Sequence, residues 1–138
     1  MPGRCMALPF STTLGIQWTP PAAPANSGNS TLAVQGRVNV PSSGAIDVPA
    51  ATVAATVFPV PFGSVSKPLF FAVKNLMSSD IGIRFNGSSD NNFKLAPGGF
   101  VVLAMPAATD DESLTQCSIV TTDVPDALEV IQWWCFGD

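Results

Sequence analysis

Histidine and tyrosine are both absent from this 138-residue chain. Without histidine, the commonest general base, neither a Ser-His-Asp nor a Cys-His arrangement can be assembled. Lys and Arg number only six and the net charge is −4. No stripe of cations is available to track a phosphate backbone, which excludes nucleic acid as a partner. Cysteine is scarce as well. Cys5, Cys117 and Cys135 are odd in number and contain no CxxC pair, so they read neither as a disulfide framework nor as a zinc cluster. Buried, reduced thiols are expected, and pairing of Cys117 with Cys135 would require neighbouring strands. Long apolar runs are missing: "VPAATVAATVFPVPF" (48–62) is uncharged but too short to span a bilayer, and it holds three prolines. No transmembrane segment is expected, and "MPGRCMALPF" does not read as a signal peptide.

Phosphate-binding and dinucleotide-binding glycine patterns are also missing. The densest carboxylate cluster, Asp110, Asp111 and Glu112 in "TDDES", sits in polar surroundings and reads as solvated loop charge, not as an acid held in an apolar pocket. The expectation is a non-enzymatic protein without a cofactor. Charged residues make up 12% of the chain, against about 25% in an ordinary globular protein, while the hydrophobic share of 46% is unremarkable. A surface so poor in charge points to an outside partly covered by another chain. The charge is also unevenly spread. After Lys94 no basic residue occurs, whereas seven acidic ones do. The two sets either neutralise one another across the fold or form complementary patches for a neighbour.

What the chain has is period-two alternation. In "TLAVQGRVNV", Leu32, Val34, Val38 and Val40 fall on one side, and Thr31, Gln35, Arg37 and Asn39 on the other. "DIGIRFN" repeats the pattern, with Ile81, Ile83 and Phe85 inward. Further strands are expected over 45–48, 52–60, 69–76, 93–95, 100–105, 117–121 and 128–136. Gly, Pro and Ser-Asn turns separate them. About eight short strands at this spacing imply an all-β fold, an antiparallel β-sandwich of jelly-roll-like form. At most "ATDDESLTQ" or "DVPDALEV" makes a helical turn. Residues 1–30 differ from the rest: Pro2, Pro9, Pro20, Pro21 and Pro24, followed by "ANSGNS", read as an extended Pro-rich N-terminal arm leading to a domain over 31–138.

Two breaks read as corners between strands. "NGSSDNN" (86–92) carries an Asn-Gly pair that tolerates positive φ, and "APGG" (96–99) sets Pro97 and Gly98 where a tight turn needs them. Asp90, Asn91 and Asn92 also form an alternative ligand loop for calcium or a glycan, although their spacing fits no EF-hand. The aromatic residues are the other resource. Trp133 and Trp134 are adjacent, so on a strand one faces the core and the other faces out. Together with Phe10, Trp18, Pro20 and Pro21 of the arm, they are the expected partner-binding residues.

The stretch "IGIRFNGSSDNNFKLAPGGFVVL", then "CSIVTTD" and the closing "LEVIQWWCFGD" resemble small β-sandwich accessory proteins of tailed-bacteriophage virions. The similarity covers Asp80 to Asp138 and rests on corners and closing strand, outside the N-terminal arm. It implies a capsid decoration (cement) protein or a head–tail accessory, located in the virion. Its partners would be a major capsid protein or other virion protein and its own copies, as a homo-oligomer such as a trimer. A tail-tip module that binds a host receptor or glycan is the alternative. The resemblance carries no active-site residues.

Overall fold

The computed structural model describes residues 8–18, 28–38, 40–105 and 114–138. They form ten strands and, among the described residues, no helix. The strands are β1 (Leu8–Trp18), β2 (Gly28–Val38), β3 (Val40–Val48), β4 (Val57–Pro59), β5 (Pro68–Asn75), β6 (Ile81–Phe85), β7 (Phe93–Leu95), β8 (Phe100–Ala104), β9 (Cys117–Thr121) and β10 (Glu129–Gly137). The pairing is nested: β6 lies antiparallel to β7, β5 to β8, β4 to β9 and β3 to β10. From β3 to β10 the chain is thus one long hairpin whose tip lies between β6 and β7. Curling brings β5 alongside β10 and β6 alongside β9, which divides the hairpin into two antiparallel sheets. The first has the order β3-β10-β5-β8 and the second β4-β9-β6-β7.

The two sheets close on one apolar core, a sandwich-like arrangement. Ile131, Trp133 and Cys135 of β10 and Phe71 and Val73 of β5 meet Ile81 and Ile83 of β6 and Cys117 and Ile119 of β9. Alternation produces this directly: along β10 every second residue from Ile131 is buried, and those between are half-buried. The Phe71 and Phe85 rings meet edge-on across the layer, with centroids 6.2 Å apart. Asn75 holds the sheets together at one end. It is fully buried, and its Nδ2 donates to the carbonyls of Ser79 (2.8 Å) and Leu95 (3.0 Å) while its Oδ1 accepts from the Met77 N–H (2.9 Å).

Both expected corners are present. Gly98 has φ +78°, and the Gly99 N–H donates to the Ala96 carbonyl at 2.8 Å, closing a turn with Pro97 at its first central position. Asn86 and Gly87 have φ of 52° and 76°. "DVPDALEV" makes no helical turn, while "ATDDESLTQ" falls largely outside the described residues.

Of the expected N-terminal arm, residues 8–18 and 28–30 are among those described. Leu8–Trp18 pairs antiparallel with Gly28–Val38 as a two-stranded ribbon without a register shift. The reason lies in "LPFSTTLGIQW", which alternates apolar and polar residues; Pro9 is its one proline, tolerated because β1 has a single neighbour. Pro20 and Pro21 lie outside the described residues. Only one residue separates β2 from β3, and the apolar phase is kept across it: Leu32, Val34, Val38, Val40, Ile46 and Val48 all fall on even positions.

Candidate interaction surface

The outer face of the first sheet carries residues that the core does not use. Register sets them in rows across β8, β5, β10 and β3. One row is Ala104, Phe70 and Phe136. The next is Val102, Ala72, Trp134 and Ser43, and the third is Phe100, Lys74, Gln132 and Ala45. Lys74 is the one charged residue among these eleven. β5 is apolar on both sides, "PLFFAV", because its inner residues enter the core while Phe70 and Ala72 are covered on the outside by their own neighbours. Phe70 stacks on Phe136 with ring centroids 5.4 Å apart. Toward the free edge the cover stops, and Phe100 is 52% exposed and Val102 40%.

Each expected site residue has a definite place except two. Trp133 belongs to the core, 4% exposed, and is the member of the adjacent pair that faces inward. It lies against Gly44, where an added Cβ would come within 3.2 Å of the indole ring. Its Nε1 has no hydrogen-bond partner. Trp134 is half-buried at the centre of the outer face. Phe10 and Trp18 occupy ribbon positions across from Gly36 and Gly28. Pro20 and Pro21 cannot be assigned to this surface, since they fall in the undescribed part of the chain. Sequence reading missed Phe70, Phe100, Val102 and Phe136. The signal that would have found them is the second, outward apolar phase in "FFAV" and "FVVLA", once those strands are set side by side.

The ligand-loop residues are engaged in holding their own corner. Asn91 Oδ1 accepts from Arg84 Nε at 3.0 Å, and Asn92 Oδ1 accepts from the Phe85 N–H at 2.7 Å. Asn86 Oδ1 accepts from the Thr115 N–H (2.7 Å) and the Thr115 hydroxyl (3.0 Å). At Asp90 the backbone carries the contacts: its carbonyl accepts from the Ser88 hydroxyl at 2.8 Å. Among the described residues no three His, Cys, Asp or Glu side chains come together. The fully buried polar residues there are Asn75 and Thr121; Glu129 is half-buried, its Oε1 accepting from the Ser78 N–H at 3.0 Å and its Oε2 buried without a hydrogen-bond partner.

Cys117 and Cys135 are free thiols, both buried. They stand on different sheets, in the same layer of the core: Cys135 pairs with Phe71, Cys117 with Phe85, and those two rings touch. Burial pushes both thiols up to about 12, and at Cys117 the negative charge of an ionised Cys135 adds to the effect. Neither is a thiolate nucleophile at neutral pH. No described helix is long and apolar enough to cross a membrane. No protein-family model, curated protein or solved structure matches the chain.

Proposed function

We propose that the chain is a non-enzymatic structural protein of a bacteriophage virion, a capsid decoration protein that stabilises the particle by binding coat-protein subunits and its own copies. The observation that carries this reading is the edge of the first sheet's outer face, where Phe100 and Val102 are exposed in the same rows as half-buried Trp134 and Gln132, with no acid among them. An exposed apolar edge of that composition supports a contact surface. The fold reading goes with it. The nested order β3-β10-β5-β8 over β4-β9-β6-β7 is what a long hairpin wrapped into two Greek keys would have, which supports a jelly roll, an architecture used by viral capsid and lectin domains.

Size bears on how the surface would work. Three rows over four strands make a patch of about 14 Å by 14 Å, well below the roughly 800 Å² per partner of a standard interface. The face alone is a weak site, and occupancy would come from many copies acting together and from the ribbon. The glycan-binding alternative draws less support, because the carboxamide oxygens of Asn91 and Asn92 are held within their own loop.

The test substitutes Phe100→Asp and Val102→Asp together and counts copies on imaged particles. Both residues are exposed on an edge strand, so the fold is retained and occupancy should fall at least tenfold. Unchanged occupancy would sink the reading.

A further inference from the structure

The geometry points to a second copy of this chain as the partner of β8, the two strands pairing antiparallel about Val102 so that the first sheets of two copies join into one. This rests on the reading of the chain as an assembling structural subunit, and it names the contact between copies.

Four strands end the two sheets, and three of them carry devices that stop further pairing. β3 contains Pro41 and Asp47, β4 is three residues long and ends in Pro59, and β7 is three residues long with Lys94 at its centre. β8 has none of these. Its "FVVLA" holds no proline, glycine or charge, and its register against β5 runs without a bulge. The Asn75 N–H donates to the Gly99 carbonyl and the Met105 N–H to the Leu69 carbonyl, both at 2.8 Å. Alternation then turns the backbone groups of Val101 and Leu103 toward β5 and those of Phe100, Val102 and Ala104 away from it. Among the described residues no strand pairs with that outer side. The flank is open to solvent, for Phe100, Val102 and Met105 are all exposed. So is Phe93 of β7, at 51%, although it shares the inward phase of its partner Ile83 and meets Phe85 edge-on.

Two features select a copy of the chain as the occupant of this edge. The first is register. A two-fold axis normal to the sheet at Val102 sets Val102 opposite itself and Phe100 opposite Ala104 in both directions, so the largest residue of the edge lies beside the smallest. The three outward-turned residues of each copy then exchange about six backbone hydrogen bonds. The row of Val102, Ala72 and Trp134 continues into its own copy, and Phe100 extends the neighbour's row of Ala104, Phe70 and Phe136. Such an edge is self-complementary, as an isologous contact requires. The second is the placement of the other sheet. The same axis keeps both second sheets on one side of the joined sheet, with β7, linked to β8 by the corner at 96–99, next to the axis. The exposed Phe93 of each copy is thereby brought toward the other, whereas a lone strand from an unrelated partner would leave it open. Five residues at about 3.4 Å each, along a flank about 20 Å deep, bury roughly 350 Å² per copy, which is the size of a weak pair. The expected Kd is on the order of 10 μM, and many copies on one particle would add to it.

Sedimentation equilibrium of the full chain over about 1–500 μM tests this. The mean mass should rise from the 14.3 kDa of one chain toward twice that value. Val102→Pro deletes an outward N–H that β5 does not use, and an edge strand accepts proline there, so the fold is kept and the mass should stay at one chain throughout. Single cysteines in a Cys5→Ser background fix the register. Val102→Cys meets its own copy across the axis and should form a two-chain disulfide on mild oxidation at least tenfold faster than Phe100→Cys, whose copies lie about 14 Å apart. A wild-type mass of one chain across the series, a Val102→Pro protein that still reaches two, or Phe100→Cys cross-linking as fast as Val102→Cys overturns the proposal. The particle-binding reading fails on another readout. Unchanged occupancy of the Phe100→Asp and Val102→Asp protein sinks that reading whatever the mass of the free chain, and a one-chain wild-type mass sinks the pair whatever the occupancy.

Discussion

The two sheets share one core and differ on their outer faces. On the second sheet, register sets Lys94, Gly82, Val120 and Val57 in one outer row and Arg84, Ser118 and Pro59 in the next. Two cations and a serine break up the apolar residues there, and the Asn91 side chain lies over Gly82. The corresponding rows of the first sheet hold aromatic and aliphatic residues with one lysine, one glutamine and one serine. An identical requirement on the inside, that alternate residues fill a core, therefore leaves the outside free to vary, and the two outsides have been given different compositions. One is an ordinary solvated face. The other has the composition of a contact.

The sharpest way to break that comparison uses adjacent residues of one strand. Trp133 faces the core and Trp134 the outer face of the same sheet. Trp133→Ala empties a closed site and should cost about 3–5 kcal/mol in a urea or guanidinium titration, whereas Trp134→Ala should cost about 1 kcal/mol. Equal losses would mean that the outer face is a second core and not an open surface. A smaller effect is expected at the tie between the sheets. Asn75→Ala removes three hydrogen bonds and strands the Ser79 and Leu95 carbonyls and the Met77 N–H, for about 2–4 kcal/mol. If the Asn75→Ala midpoint matches wild type, Asn75 is not what joins the first sheet to the β6–β7 end of the second.

Much of this was legible in the chain, and the misses have physical causes. β7 and β9 fall where alternation and turn residues set them, over 93–95 and 117–121. The "APGG" and "NG" corners follow from the backbone freedom of glycine and asparagine. β3 begins at Val40, not near 45, although "PSSG" has the composition of a turn. Pairing with β10 overrides that preference, and Gly44 leaves room for the Trp133 indole. β4 is shorter than 52–60 because Ala55, inside that span, adopts φ of 65° and breaks the strand. β1 was hidden by the prolines around it. The outer face of the first sheet was hidden for a different reason: single strands show which residues alternate, but only strand order shows that Val102, Ala72 and Trp134 share a row.

The pair of thiols, one from each sheet, gives the smallest effect and a test of the shared core itself. Burial raises Cys117 and Cys135 to about 12 from the ordinary thiol value of 9.0. In the unfolded chain both thiols lose protons as the pH passes 9, while in the folded protein they keep them. The unfolded state then binds fewer protons, so stability that is fully present below about pH 9 declines as the pH rises toward 12. At pH 10 the loss should be about 1 kcal/mol per thiol. Tyrosine is absent, so no phenol titrates in this window, and lysine is the other group to consider. Replacing both cysteines by alanine should lower stability at neutral pH and flatten its decline between pH 8 and 10. An unchanged slope in that variant would show that the thiols are not the groups responsible and that water reaches the layer where Phe71 meets Phe85.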